Sequence, residues 1–265
     1  MEHPDIEAIS FTGGTATGKI VARTAAPMFK KISLELGGKN ASIVMADADL
    51  DIAVPGVVRA GFANQGQVCL CGSRILVADE IWDQFVPKFV EKVSAMTVGD
   101  PATCNMGAVI SFQHREKIES YIEIAKSEGG EVLTGATRPD LPGAFIRPTV
   151  ISGTDIKSRV ATEEIFGPVV TLHRFKGEDE MVEMANATQY GLCCSIWTKD
   201  TARASKIAPR IDVGICWINC WLHRDLRTPF GGVKQSGVGR EGGDWSLGFF
   251  SEPQNVCVKY DESKK

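Results

Sequence analysis

Two short segments of the sequence hold a possible base and a possible nucleophile. In the segment L-E-L-G-G-K, Glu35 stands between two leucines, and partial burial would raise its pKa toward that of a general base. In the segment F-A-N-Q-G-Q-V-C, Gly66 permits a sharp turn before Cys69, and backbone N–H groups there could support a thiolate and later an oxyanion. Each residue also has an ordinary interpretation, because a lone glutamate is usually a surface residue and a lone cysteine a small buried one.

Two further segments combine acids, aromatics and glycines. Glu163 and Glu164 precede a Phe-Gly-Pro turn, and a glycine-rich run follows Thr228. A strand-like segment also runs into Gly13 and Gly14, and nucleotide-binding folds place phosphate at such strand-to-helix turns. A plain strand-to-helix turn is the favoured explanation of this last pattern taken alone, because its spacing departs from G-x-G-x-x-G.

Alternating strand and helix patterns must position these residues. Short apolar runs predict buried strands, whereas Ile81, Phe85, Phe89 and Val93 follow helical spacing. The alternation predicts an α/β fold with a mostly parallel sheet. The predicted strands are Ser42–Ala46, Ser73–Ala78, Val169–Phe175, Gly191–Thr198 and Val213–Asn219.

Composition excludes several classes of function. The 265 residues include 29 Lys and Arg against 33 Asp and Glu, a net charge of -4, which argues against nucleic-acid binding. The sequence contains no apolar run of the ~20 residues that a membrane span needs, and its start does not resemble a signal peptide. The eight cysteines lack zinc-site spacing, so we expect no metal and a reducing, cytoplasmic location.

Four segments, taken in chain order, resemble the signatures of the aldehyde dehydrogenase superfamily. They are L-E-L-G-G-K, F-A-N-Q-G-Q-V-C, E-E-I-F-G-P and P-F-G-G-V-K-Q-S-G-V-G-R-E. The resemblance covers essentially the whole chain and is to the catalytic, C-terminal half. Three further segments are similar to sequences of the branch that oxidises 2-hydroxymuconate or 2-aminomuconate semialdehyde. They are C-L-C, N-C-W and R-D-L-R-T-P-F-G-G.

The resemblance implies a three-layer α/β sandwich with a mostly parallel sheet. Residues 1–36 would be the end of a Rossmann-type NAD-binding domain whose N-terminal part is missing. Residues 37–231 would form the catalytic domain. Residues 232–265 would be a return segment and an oligomerisation strand, the strand lying at Asn255 to Tyr260.

The resemblance also implies the roles of individual residues. Cys69 would attack the aldehyde and carry a thioester, and Glu35 would activate the water that hydrolyses it. Arg224, or as a second choice Arg227, would bind a substrate carboxylate, although either could instead pair with a surface acid such as Asp225. Asn219 and Phe230 would lie around the substrate pocket. NAD, with NADP not excluded, would contact Gly13, Gly14, Gly37, Glu164 and Phe166.

Superfamily members are about twice as long as this chain, and three interpretations follow. The chain is the catalytic half of an NAD(P)-dependent dehydrogenase for an acidic semialdehyde, completed by further polypeptide. Alternatively, it is a non-catalytic subunit that pairs with full-length subunits, or a cysteine esterase that needs no cofactor. We expect a homo-oligomer, or pairing with a full-length or N-terminal-half subunit, and weak cofactor-dependent turnover by the isolated chain.

Overall fold

A computed structural model describes residues 1–260 and residue 263 of the chain. Among these residues, no helix has the length and apolar character to span a bilayer. The strands are β1 (Ala8–Thr12), β2 (Lys31–Glu35), β3 (Ala41–Val44), β4 (Arg74–Ala78), β5 (Glu131–Thr134), β6 (Thr149–Ser152), β7 (Val169–Phe175), β8 (Tyr190–Gly191), β9 (Cys193–Trp197), β10 (Ile215–Ile218), β11 (Val233–Lys234) and β12 (Gly237–Val238). The α-helices are α1 (Thr15–Ala25), α2 (Leu50–Phe62), α3 (Trp82–Ser94), α4 (Phe112–Ser127), α5 (Arg159–Thr162), α6 (Glu178–Asn186), α7 (Thr201–Ile207) and α8 (Gly243–Phe249).

The main sheet has seven strands in the order β10-β9-β3-β4-β7-β6-β5. Every neighbouring pair is parallel except β5 with β6. All residues of β3, β4 and β9 are buried, as expected where helices cover both faces of a parallel sheet. The predicted α/β fold with a mostly parallel sheet is therefore confirmed.

Helices α2 and α3 form much of the hydrophobic core against this sheet. Phe85 and Phe89 are fully buried and stack with ring centroids 5.4 Å apart, and Phe62 of α2 packs 6.5 Å from Phe89. Val93 on the same face is also fully buried. The predicted apolar face of this helix is confirmed.

One predicted strand is divided. The run Gly191–Thr198 was expected to form a single strand, but Gly191 belongs to β8 and pairs antiparallel with Val233. Its N–H also donates to the Ser236 hydroxyl. Only Cys193–Trp197 enters the main sheet, because the backbone of Gly191 is committed to another segment.

A second, smaller sheet has the order β1-β2-β12. β1 lies parallel to β2, and β12 returns antiparallel to the other edge of β2, with Gly237 opposite Glu35. The segment beyond residue 231 therefore folds back onto the first 36 residues. The domain boundaries inferred from the resemblance stay predictions.

The segment at residues 251–260 has neither helix nor strand hydrogen bonding. Val256, Val258 and Tyr260 are 74%, 65% and 82% exposed. The oligomerisation strand expected at Asn255 to Tyr260 is thus not formed within the single chain, and its pairing with another subunit stays a prediction. Residues 261, 262, 264 and 265 of the predicted C-terminal segment lie outside the described residues.

Candidate active site

The turn that carries Cys69 follows directly after helix α2. Asn64, Gln65 and Gly66 all have positive φ, at 49°, 57° and 68°, so the chain reverses sharply. A Cβ on Gly66 would lie 2.2 Å from the carbonyl oxygen of Gly167. Glycine is therefore required at residue 66 both by conformation and by this close approach, which fixes the approach to Cys69.

Asn40, in the link between the L-E-L-G-G-K segment and β3, holds this turn in place. Its Nδ2 donates to the carbonyl oxygens of Cys69 at 2.7 Å and Cys71 at 2.9 Å. Its Oδ1 accepts from the N–H of Cys193 at 3.1 Å. Sequence reasoning missed this residue, although a polar amide directly before a buried strand is a signal that it must find internal partners.

The Cys69 thiol lies in a partly buried, acidic environment. Burial raises its pKa, and the nearby carboxyls of Glu164 and Glu35 raise it further. The backbone N–H groups of Cys69 and Leu70 partly offset this rise in the pKa. The net shift favours the neutral thiol, and backbone support for a thiolate stays a prediction.

Glu35 ends strand β2 and is only 4% exposed. Burial and the nearby Glu241 raise the pKa of its carboxyl to about 8, against opposing effects of Arg240 and Arg224. Its Oε1 has no hydrogen-bond partner among the described residues, and a Cβ on Gly231 would lie 2.7 Å from that atom. The predicted rise in the pKa of this carboxyl is confirmed.

The acidic pair Glu163 and Glu164 divides between two environments. Glu163 accepts hydrogen bonds from Arg159 and from the Tyr121 hydroxyl. Glu164 turns inward, and its Oε1 accepts from the N–H of Gly38 at 2.9 Å. Only Glu164 therefore faces the cysteine site.

Gly37 lies against the same carboxylate. A Cβ at this position would be 2.4 Å from Oε2 of Glu164. A side chain on residue 37 would displace Glu164, so these two predicted cofactor residues occupy one small region.

Phe166 lies just beyond Glu164 in a left-handed conformation, with φ of 60°. Its carbonyl oxygen is 2.6 Å from Nε2 of His114, which fixes the backbone. The Phe166 ring is 37% exposed. The ring is therefore accessible from solvent beside the site.

The turn at Gly13 and Gly14 joins the same region to helix α1. The Gly13 N–H donates to the carbonyl oxygen of Glu35 at 3.0 Å. Gly14 is the N-cap residue of α1, and a Cβ there would meet no atom within 4 Å. Among the described residues no side chain caps this helix, so its first N–H groups and positive dipole end are available to an anion.

A cavity of about 440 Å³ lies beside Arg240 and Glu241, which affect the pKa of Glu35, but Glu35 itself does not line it. Arg224, Phe230, Arg240 and Glu241 are among its lining residues, whereas Cys69 is not. The Arg224 guanidinium lies 4.2 Å from the centroid of the Phe230 ring. Arg224 forms no salt bridge with any residue the structure describes, so its fork is available to a ligand.

The two remaining predicted substrate residues lie elsewhere. Arg227 pairs with Asp225 through Nε and Nη2, and its side chain is 87% exposed. The Asn219 amide is hydrogen bonded to the backbone N–H and carbonyl of Thr198, at 2.9 and 2.8 Å. The structure therefore brings Arg224 and Phe230 together but leaves Arg227 and Asn219 outside that cavity.

Two buried cations near the site were not anticipated. Arg74 donates to the carbonyl oxygens of Lys39, Met184 and Ala185. Lys39 is 1% exposed, its Nζ lacks a hydrogen-bond partner in the described residues, and burial lowers its pKa to about 7. The two residues link β3, β4 and α6 behind the cysteine turn.

Comparison with known proteins identifies the family of the chain. The sequence profile described as the aldehyde dehydrogenase family matches residues 1–256, and the chain belongs to that family. It is 48% identical over 265 residues to the 2-hydroxymuconic semialdehyde dehydrogenase of Pseudomonas sp. strain CF600, covering 97% of this chain and 54% of that protein. It is 43% identical to the human 2-aminomuconic semialdehyde dehydrogenase, covering 98% and 55%.

Solved structures give the same result. The betaine aldehyde dehydrogenase of Staphylococcus aureus, crystallised with NAD⁺, superimposes with a TM-score of 0.90 at 42% identity. The match covers 92% of this chain and 50% of that one. The chain thus spans about half the length of the relatives it matches.

Proposed function

We propose that the protein oxidises an acidic semialdehyde to a carboxylate with NAD(P), through a thioester on Cys69. The observation that carries the proposal is the position of the Cys69 thiol, which lies within electrostatic reach of both Glu35 and Glu164. A nucleophile, a base of raised pKa and an inward-facing carboxylate are the groups this chemistry needs. The semialdehyde dehydrogenases among the relatives support the substrate class.

The residues predicted to hold NAD(P) fit a dinucleotide. The open N-terminus of α1 at Gly14 suits a phosphate. The space beside Gly37 is shared with the Glu164 carboxylate, which could accept hydrogen bonds from a ribose. The exposed Phe166 ring could pack beside a flat heterocycle. When bound, NAD(P) would supply the acceptor for a hydride, and the choice between NAD and NADP stays open.

The chain's own residues account for the remaining steps. Cys69 loses its proton to solvent water, and its sulfur attacks the aldehyde carbon. The backbone N–H groups of Cys69 and Leu70 lower the pKa of the thiol, so they would also stabilise an oxyanion that forms beside the sulfur. After the hydride has left, a thioester links the acyl group to the sulfur. Glu35 then takes a proton from a water molecule that attacks this thioester, which releases the carboxylic acid and the cysteine.

We further propose that Arg224, and not Arg227, binds the carboxylate of the substrate. Arg224 lines the cavity and is near enough to Glu35 to lower the pKa of that carboxyl. Arg227 is already engaged by Asp225. A charge-assisted hydrogen bond contributes about 1.5–3 kcal/mol, so Arg224→Ala should raise KM by about 10- to 100-fold. Arg227→Ala is the matched control, and an equal loss in both variants would contradict the assignment.

The first experiment incubates the purified chain with NAD and 2-aminomuconate or 2-hydroxymuconate semialdehyde. Absorbance of the reduced cofactor is followed beside a Cys69→Ala control. Cysteine-dependent formation of NADH would support catalysis by this chain. If a folded chain gives no signal, the proposal requires that adding the N-terminal half of a relative restores cysteine-dependent turnover. Failure of that addition would overturn it and favour a non-catalytic subunit that pairs with full-length copies.

A cofactor-independent esterase is the second candidate function. It is favoured by the fact that Cys69 and Glu35 both lie in this chain and need no nucleotide to cleave an activated ester. Hydrolysis of p-nitrophenyl acetate that is lost in Cys69→Ala and insensitive to NAD would support it.

We also propose a homo-oligomer in a reducing, cytoplasmic environment, in keeping with the eight cysteines, which are all free.

A further inference from the structure

Two cysteines unrelated to the nucleophile face each other across the edge of the main sheet. Cys194 of β9 is the direct register partner of Cys216 of β10, so the two side chains leave the sheet on the same face. Neighbouring strands are about 4.8 Å apart, which is within the Cα separation of about 4.4–6.8 Å that disulfides adopt. The backbone therefore places these cysteines where they can be linked.

The chemistry of the two thiols is unequal. The interaction between the two side chains lowers the pKa of Cys216 and, together with burial, raises that of Cys194. Cys216 lies on the edge strand and is partly exposed, whereas Cys194 is 1% exposed. Thiolate character and exposure determine which cysteine an oxidant attacks first, so Cys216 is the entry point and Cys194 the resolving partner.

We propose that Cys194 and Cys216 form a reversibly oxidised pair that closes a disulfide between β9 and β10 on exposure to a peroxide. The Cys216 thiolate attacks one peroxide oxygen, and the O–O bond breaks. Hydroxide is the leaving group, and Cys216 becomes a sulfenic acid. The Cys194 sulfur then attacks that sulfur, the S–O bond breaks, and water leaves. Two electrons pass from the two sulfurs to hydrogen peroxide, which is reduced to water.

The pair is connected to the nucleophile through the backbone. Cys193, the neighbour of Cys194, donates its N–H to Asn40. The Asn40 amide in turn holds the Cys69 carbonyl. A covalent link that shifts β9 would act on this contact. The pairing itself does not depend on the proposed dehydrogenase activity.

The test is mass spectrometry of the oxidised chain. Cys69 and Cys71 offer a competing thiol pair, so the experiment uses a chain that carries Cys69→Ala. This chain is treated with hydrogen peroxide, its remaining thiols are blocked with N-ethylmaleimide, and it is digested with trypsin. Cleavage after Lys176, Lys199, Arg210 and Arg224 places the two thiols in separate peptides, residues 177–199 and 211–224. The expected product is these two peptides joined, with fragment ions that assign the link to residues 194 and 216, and it disappears on reduction with dithiothreitol.

Variants separate this pairing from general oxidation. Cys194→Ser and Cys216→Ser should each abolish the joined product, whereas Cys104→Ser, in a distant loop, should not alter it. Absence of the joined peptides, or fragment ions that assign the link to Cys193 or Cys220, would overturn the proposal. If a serine variant loses the circular dichroism of the native fold, the result from the chain that keeps Cys194 and Cys216 decides the question. Its fragment ions identify the two linked sulfurs directly.

Discussion

Replacing Glu35 with glutamine removes a carboxyl group from a place where burial opposes its charge. In the unfolded chain this carboxyl ionises near its ordinary pKa of 4.5, whereas in the folded chain its pKa is about 8. Between these values the unfolded state loses the proton while the folded state keeps it, so the free energy of unfolding falls as pH rises. Above pH 8 the loss is complete. Glutamine stays neutral at every pH, so the Glu35→Gln variant lacks this fall.

The size of the effect follows from the two pKa values. Each pKa unit corresponds to about 1.4 kcal/mol, so a rise from 4.5 to about 8 sets an upper limit of about 5 kcal/mol at pH 9. We expect Glu35→Gln to be more stable than the parent by about 2–5 kcal/mol at pH 9 and by less than about 1 kcal/mol at pH 5.

Urea denaturation at pH 5 and pH 9 measures both differences, provided that the m-values of the two chains agree. Glu80→Gln, at an exposed position, is the matched control and should show no pH-dependent difference. The reasoning would be refuted if Glu35→Gln changed stability equally at both pH values. It would also be refuted if the parent gained stability over the variant as pH rises.

Three further substitutions test the packing around the site. Asn40→Ala leaves two carbonyl groups, one buried and one partly buried, without their donor, and urea denaturation should show a loss of about 2–4 kcal/mol. An unchanged midpoint would contradict the role given to this amide. Gly56→Ala places a Cβ 2.1 Å from the Trp197 ring and should cost about 1–3 kcal/mol, whereas Gly248→Ala, with no atom within 4 Å, should be neutral or slightly stabilising in the same assay. Arg74→Lys removes a planar guanidinium that donates to three carbonyl groups, so it should lower the midpoint of thermal unfolding. An unchanged midpoint would mean that lysine satisfies these carbonyl groups equally well.

The local pattern of residues around Glu35 and Cys69 was sufficient to predict much of their environment. Flanking leucines indicated a buried carboxyl, and its pKa is raised to about 8. Gly66 before Cys69 indicated a sharp turn, and residues 64–66 all have positive φ. Helical and strand periodicity predicted the parallel α/β sheet because both depend on neighbours in the sequence.

Other features depend on partners distant in the sequence. Glu163 and Glu164 are adjacent and chemically identical, and only the positions of Arg159 and Gly38 decide which one faces the site. Likewise, Arg227 pairs with Asp225 and does not line the cavity that contains Arg224.

The sequence by itself therefore determined the order of chemical groups along the chain and the local turns that present them, since these follow from residue type and spacing. Tertiary structure alone decided which side chains meet, because strand register and loop closure bring together residues far apart in the chain. Asn40 gained its role when β3 was placed beside β9. Cys194 and Cys216 became a pair only through the register of β9 and β10.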